Sequence, residues 1–278
     1  MRLGGPVFTP TADPDTWVKA HLSKGYSAAY CPLDADAPDE LARAYATAAE
    51  AAGIVIAEVG AWSNPLSPNE DIRRKAIAYC QAQLDLADRI GARCCVNIAG
   101  SRGEQWDGPH PDNLTPDTFD LIVETVRAII DTVNPIRAFY TLETMPWMYP
   151  DSADAYLKLI QDIDRRQFAA HLDPVNLVCS PQRYFANDML LRECFQKLGP
   201  YIKSCHAKDI TLSSKLTVHL DETRPGLGGL DYATFLYELN TRAPDAPLML
   251  EHLSNPEDYD LAAGYIRSVA EQVGVTLA

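Results

Sequence analysis

AFYTLETMPWMYPDSADAYLKLIQDIDRRQFAAHLD, residues 138–173, carries the pattern from which the fold is read. It opens on a short apolar run, AFYTLE at 138–143, whose length suits a strand covered on both faces. Ser152 then stands ahead of a segment with helical period, where an N-terminal capping residue belongs. A second short run, FAAHLD at 168–173, closes the unit. Both runs end on a carboxylate, Glu143 and Asp173.

The alternation continues in both directions. Strands are expected before it at 1–5 (MRLGG), 26–32 (YSAAYCP), 54–61 (IVIAEVGA) and 94–100 (CCVNIAG). After it they are expected at 202–209 (IKSCHAKD) and 246–252 (APLMLEH). Asp13-Pro14, Asp39-Glu40, Asn69-Glu70, Thr115-Pro116, Asp231 and Pro256 mark helix starts, and Gly25, Gly53, Gly91 and Gly199 mark helix ends. Segment 181–199 is less regular, and SPQRYF at its start reads as loop. Strand-then-helix units repeated in this way imply a parallel sheet. An open doubly wound sheet would carry a GxGxxG turn after its first strand, but LGGPVF has a proline there. Eight repeats in 278 residues suit a closed (β/α)8 TIM barrel of α/β class, typically about 250 residues long. No linker-like shift in composition divides the chain, so residues 1–278 read as one domain.

Composition narrows the partners. The net charge of −14 repels phosphate backbones and anionic membranes, which argues against nucleic acid. No run approaches the length of a membrane span, and the N-terminus lacks the pattern of a secretory signal. Seven cysteines, an odd number without a CxxC pair, fit free thiols in a reducing cytoplasm.

Ionisable residues are expensive inside buried strands unless paired or coordinated. Here they gather at strand ends: Glu143, Asp173, His206 and Glu251 close the fifth to eighth expected strands. In a barrel those ends meet on one face, where active sites form. Each alone is more simply a capping, ion-paired or hydrogen-bonded group. Together they make a hard, oxygen-rich site for one divalent metal, Mn²⁺, Mg²⁺ or Co²⁺ in preference to Zn²⁺. Four protein ligands would leave two octahedral positions for vicinal substrate oxygens.

LETMPW, HLDPVN, CHAKD and LMLEH, in this order, resemble the xylose-isomerase-like barrels, also described as sugar phosphate isomerases/epimerases. The GLGGLDY segment ending at Tyr232 adds to the likeness, which runs through nearly the whole chain. The resemblance implies that Glu143, Asp173, His206 and Glu251 bind the metal. It also implies that Glu143 and Glu251 move protons on opposite faces of a substrate, as in the family's ketose epimerases. Two positions depart from those epimerases: Asn176 stands where they have a substrate-binding His, and Leu212 where they have an Arg.

Other residues are candidates for substrate contact. Asn176 retains a hydrogen-bonding amide. Lys208 is read as a hydroxyl or carbonyl contact or, equally, as a rim ion pair with Asp209. His171 shares its strand face with Asp173 and could support a carboxylate ligand. Trp62, Trp106 and Trp147 fall on loops after strands and suit stacking on sugar faces, with Trp147 nearest the site. They suit an oligomer contact as well, so a homo-oligomer stays open. The polar loop 99–113 reads as a lid carrying Arg102 and His110, and Arg183 with Tyr184 is placed to reach an acidic substrate group. His219 and Asp221 are a weaker candidate for a second metal.

The expected chemistry is proton abstraction beside a carbonyl by Glu143 or Glu251, through an enediolate that leads to epimerisation or aldose–ketose isomerisation of a sugar, polyol or keto acid. Loss of a β-hydroxyl from the same intermediate would make an inosose-type dehydratase. A catalytically silent metal-binding barrel is a further alternative. An apurinic endonuclease is disfavoured, because it would need histidines at the ends of the second and third strands, which have none.

Overall fold

The computed structural model describes residues 1–9 and 13–278. Eight parallel strands close into a barrel: β1 (Arg2–Gly4), β2 (Ala28–Tyr30), β3 (Val55–Gly60), β4 (Cys94–Asn97), β5 (Phe139–Glu143), β6 (Phe168–Leu172), β7 (Ile202–Ala207) and β10 (Pro247–Leu250). Two further strands, β8 (Asp209–Ser213) and β9 (His219–Thr223), form a separate antiparallel hairpin directly after β7. Around the barrel run α1 (Pro14–Ser23), α2 (Asp39–Ala51), α3 (Glu70–Ile90), α4 (Pro116–Val133), α5 (Ala153–Ile163), α6 (Pro181–Phe185), α7 (Asn187–Leu198), α8 (Tyr232–Arg242) and α9 (Pro256–Gln272). This is a (β/α)8 TIM barrel.

The helices begin where side chains can satisfy their first N–H groups. Asp13 and Thr16 make a reciprocal capping box, and Asn69, Thr115, Ser152, Asp231 and Asn255 accept from the first turns of their helices. One expectation differs. SPQRYF is not loop: Ser180 caps α6 and Pro181 occupies its first turn, the same signals that open the longer helices. Gly199 ends α7 as expected and leads into a 3-10 turn with φ −41°. A Cβ there would lie 2.9 Å from that of Arg242, so close packing against the end of α8 requires the glycine.

Helical apolar faces cover the barrel. On α4, Phe119, Ile122, Val126, Ile129 and Ile130 are buried. On α5, Tyr156 passes its hydroxyl between β5 and β6, where it donates to Leu142 O at 2.5 Å and accepts from the N–H of Leu142 and His171. Two residues further along, Thr144 Oγ1 donates to Asp173 O at 2.7 Å and accepts Asp173 N–H at 3.0 Å. The strand ends that carry Glu143 and Asp173 are thereby tied to each other. No helix among the described residues is long and apolar enough to cross a membrane.

Candidate metal centre

Strand register brings the expected residues together. Glu143 lies beside His171 across β5 and β6, and His206 lies beside Met249 across β7 and β10, two residues before Glu251. One ligand atom from each of Glu143, Asp173, His206 and Glu251 lies within 4.8 Å of the others. His206 Nδ1 is 3.1 Å from Glu143 Oε1, 2.9 Å from Glu251 Oε2 and 3.9 Å from Asp173 Oδ2. Asp173 spends Oδ1 on the N–H groups of Val175 and Asn176, at 3.0 and 3.4 Å. Its Oδ2 and Glu251 Oε2 are buried with no hydrogen-bond donor in line.

Lys208 is the internal counter-charge. Its side chain is 2% exposed, with Nζ 2.8 Å from both Asp173 Oδ2 and Glu251 Oε2 and 3.6 Å from Glu143 Oε1. Glu222, arriving from β9, stands 3.8 Å from the same ammonium. Burial disfavours the charged forms, yet mutual pairing dominates. Glu251, Glu58 and Glu143 hold the His206 imidazolium well above its usual range, and the acids around Lys208 hold its ammonium charged. Asp173 goes the other way, its pKa pushed up to about 6 by burial against the pull of Lys208.

These donors fit a divalent cation. Two buried carboxylate oxygens without an aligned donor and one imidazole nitrogen converge on a space between three acids. Hard oxygen donors with one nitrogen suit Mg²⁺, Mn²⁺ or Co²⁺.

Beneath this site lies a carboxylate that the sequence reading passed over. Glu58, in the middle of β3, is 1% exposed and faces the barrel axis. Its Oε2 meets His206 Nε2 at 3.2 Å, while Oε1 meets His171 Nε2 at 2.9 Å and accepts from Ser204 Oγ. Burial works against its charge, but His171 and His206 hold its carboxyl well below the usual range. Each oxygen has a donor. The signal was present in IVIAEVGA, whose acid breaks an otherwise apolar strand.

The remaining candidates divide. Trp62, Trp106 and Trp147 line a cavity of about 520 Å³ above Glu143, Lys208 and Glu251, with Asn176 at its edge. Trp147 is held by its indole N–H on Asp107 O at 2.7 Å, and Asn176 Nδ2 donates to Glu143 Oε1 at 3.2 Å. His171 and Arg183 do not line this cavity. His171 is fully buried against Glu58, below the site. Arg183 donates back to Leu177 O at 2.8 Å and does not line the cavity. Arg102 and His110 also serve their loop, Arg102 by donating to Leu66 O and His110 by accepting Asp112 N–H. Asp209 is not the partner of Lys208. Its carboxylate accepts the N–H groups of Ile210, Gly226, Gly228 and Leu230 at 2.9–3.0 Å. A Cβ on Gly228 would fall 2.3 Å from Asp209 Oδ1, so that glycine is required by the clasp. His219 and Asp221 join no group of metal-ligand geometry among the described residues.

The chain belongs to the xylose isomerase-like TIM barrel family, whose model matches residues 23–269. No curated protein matches it. Solved structures share its fold at low identity. A xylose isomerase-like TIM barrel protein from Mycobacterium smegmatis in complex with magnesium is 17% identical, with TM-score 0.68, covering 98% of this chain and 96% of that one. D-psicose 3-epimerase from Clostridium cellulolyticum, with D-tagatose, is 14% identical, with TM-score 0.69 and coverages of 96% and 95%. Endonuclease IV from Thermus thermophilus is 14% identical, with TM-score 0.73 and coverages of 98% and 100%.

Proposed function

We propose that the protein is a divalent-metal-dependent isomerase or epimerase of an unphosphorylated polyhydroxy carbonyl compound. The observation that carries this reading is the pair Glu143 and Glu251, on either side of His206 Nδ1 at 3.1 and 2.9 Å and both lining one cavity. Glu143, Asp173, His206 and Glu251 would hold the cation, which when bound supplies Lewis-acid polarisation of substrate oxygens. One of the two glutamates takes the proton from the carbon beside the carbonyl, and the other delivers one from the facing side. Delivery to the same carbon inverts it, and delivery to its neighbour exchanges aldose for ketose. Lys208 offers N–H donors to the substrate oxygen on which charge develops. The magnesium complex and the D-psicose 3-epimerase among the fold's relatives support this reading.

The cavity favours an uncharged sugar. Glu143, Glu222, Glu251 and Asp107 line it, the charge of Lys208 is balanced by Asp173 and Glu251, and no arginine reaches it among the described residues. The tryptophans offer flat apolar faces for C–H surfaces of a ring. This charge also opposes a nucleic-acid substrate. Seven free cysteines fit a reducing compartment such as the cytoplasm. The test is solvent-deuterium exchange into a panel of ketoses, aldoses and inososes with Mn²⁺ added. Exchange at the carbon beside the carbonyl, lost in Glu251→Gln, supports the proposal. A protein that binds Mn²⁺ yet exchanges no member of the panel contradicts it.

A further inference from the structure

The opposite end of the barrel is charged in the other sense. A cavity of about 510 Å³ opens there among the starts of β1, β3, β5 and β7 and the C-terminal ends of α2 and α3. Arg2, Arg93, Arg137 and Lys203 line it, against one carboxylate, Glu50, in a chain whose net charge is −14. Two of the four cations are accounted for by the fold. Arg2 donates to Gly53 O at 2.5 Å, and Arg137 donates to the carbonyls of Asp88 and Arg89, as cations at helix C-termini do.

Lys203 and Arg93 have no such explanation. Among the described residues neither side chain makes a hydrogen bond or meets a carboxylate within 4 Å. Lys203 is half-buried, its Nζ fixed 4.2 Å from the centre of the Phe139 ring. Burial and then the charge of Arg93 lower its pKa, with Asp245 opposing from further off. Two neighbouring cations without a carboxylate, Arg93 exposed and Lys203 half-buried over Phe139, leave N–H donors free toward a cavity that Arg2 and Arg137 also make positive. Ile54, Ile56 and Ala92 provide an apolar wall beside them.

We propose that this cavity binds a small phosphate-bearing anion, its oxygens taken by Arg93 and Lys203 with support from Arg2. Guanidinium groups suit bidentate oxyanion recognition, and an ammonium suits it as a point charge. The site is separate from the acidic mouth, which repels the same ligand, and does not depend on the activity assigned to that mouth.

The test is calorimetric titration and thermal unfolding with inorganic phosphate against potassium chloride at equal ionic strength. The chains are wild type, Arg93→Gln and Lys203→Met, with Glu251→Gln as a control for the mouth. Arg93 is exposed and Lys203 only half-buried, and methionine keeps the length of the lysine stem while removing the ammonium over Phe139, so both variants are expected to keep the fold. The expected result is phosphate-specific heat and a rise in Tm for wild type and Glu251→Gln, with affinity at least about tenfold weaker in each cavity variant, the loss of one charge-assisted contact. No phosphate effect beyond chloride in wild type, or binding undiminished in both cavity variants, overturns the proposal. In that case Arg2 and Arg137 serve only the helix ends, and Arg93 and Lys203 hold no anion.

Discussion

His206 separates two tiers of carboxylates with similar chemistry and opposite fates. Below it, Glu58 has a donor for each oxygen, from His171, Ser204 and His206. Above it, Asp173 Oδ2 and Glu251 Oε2 lie close to Lys208 without an aligned hydrogen bond, and three acids share one ammonium and one imidazole. Both tiers have the spacing of a metal site. In the lower one both Glu58 oxygens are engaged and would have to give up hydrogen bonds to admit an ion, while His171 Nδ1 is buried without a partner. The upper one is short of positive charge. Ligand spacing alone therefore does not tell the two tiers apart; carboxylate oxygens left without an aligned hydrogen bond do.

The largest effect that would break this division lies in catalysis. Glu143→Gln and Glu251→Gln should each lower kcat on the order of 10²–10⁴-fold, as removal of a proton-transfer group does. Deuterium exchange measured beside turnover will report this, and full activity in either variant removes the upper tier from the chemistry.

Next comes the lower tier's hold on His206. Glu58→Gln keeps the shape but loses the charge that orients the imidazole, so Mn²⁺ affinity should fall roughly 10- to 100-fold by calorimetry. The same change breaks a buried pair and should cost the metal-free protein roughly 3–5 kcal/mol in urea unfolding. Glu251→Gln, at the partly open rim, should cost far less. Equal stability losses in the two variants would erase the difference between the tiers.

A third prediction concerns protons. Carboxylates on both sides hold His206 protonated above its usual range, and a metal ligand must be neutral. Metal and proton then compete, so Mn²⁺ affinity should rise with pH by up to about tenfold per unit while the ring is charged. The change is fully expressed below the raised pKa and vanishes above it. Titrations in buffers of different ionisation enthalpy will show the released proton, and an affinity that stays flat across neutral pH would contradict the pairing.

The smallest effect is at the mouth. Trp62→Ala removes one stacking face, worth about 0.5–1.5 kcal/mol, and should raise KM roughly 2- to 12-fold with kcat little changed. A change confined to kcat would mean that Trp62 shapes the chemistry and not the fit.

The barrel was legible because its strands are short apolar runs and its helices begin on side-chain caps. The four upper residues were legible for a related reason: they stand at strand ends, where an unpaired charge has no local explanation. Glu58 followed the same logic but sits mid-strand, and no neighbour in the sequence reveals His171 or Ser204 as its partners. Pairing across the barrel axis is a product of register alone. Arg183 was not legible because nothing in SPQRYF points to Leu177 O, six residues behind it. The hairpin was missed because DITLS and HLDET are half-polar, in the solvated alternation of a two-stranded ribbon and not the continuous apolar run of a barrel strand.

That hairpin separates inheritance from novelty. It leaves the barrel one residue after Lys208, returns through the clasp on Asp209, and reaches into solvent at Leu216, which is 96% exposed. Only Glu222 turns back toward the ligands. The segment is thus a cassette whose outer half can be exchanged without retuning the centre. Swapping residues 214–218 for a shorter turn should leave Mn²⁺ affinity unchanged. A lineage built on this barrel could trade substrates through such a ribbon while its metal ligands stayed fixed.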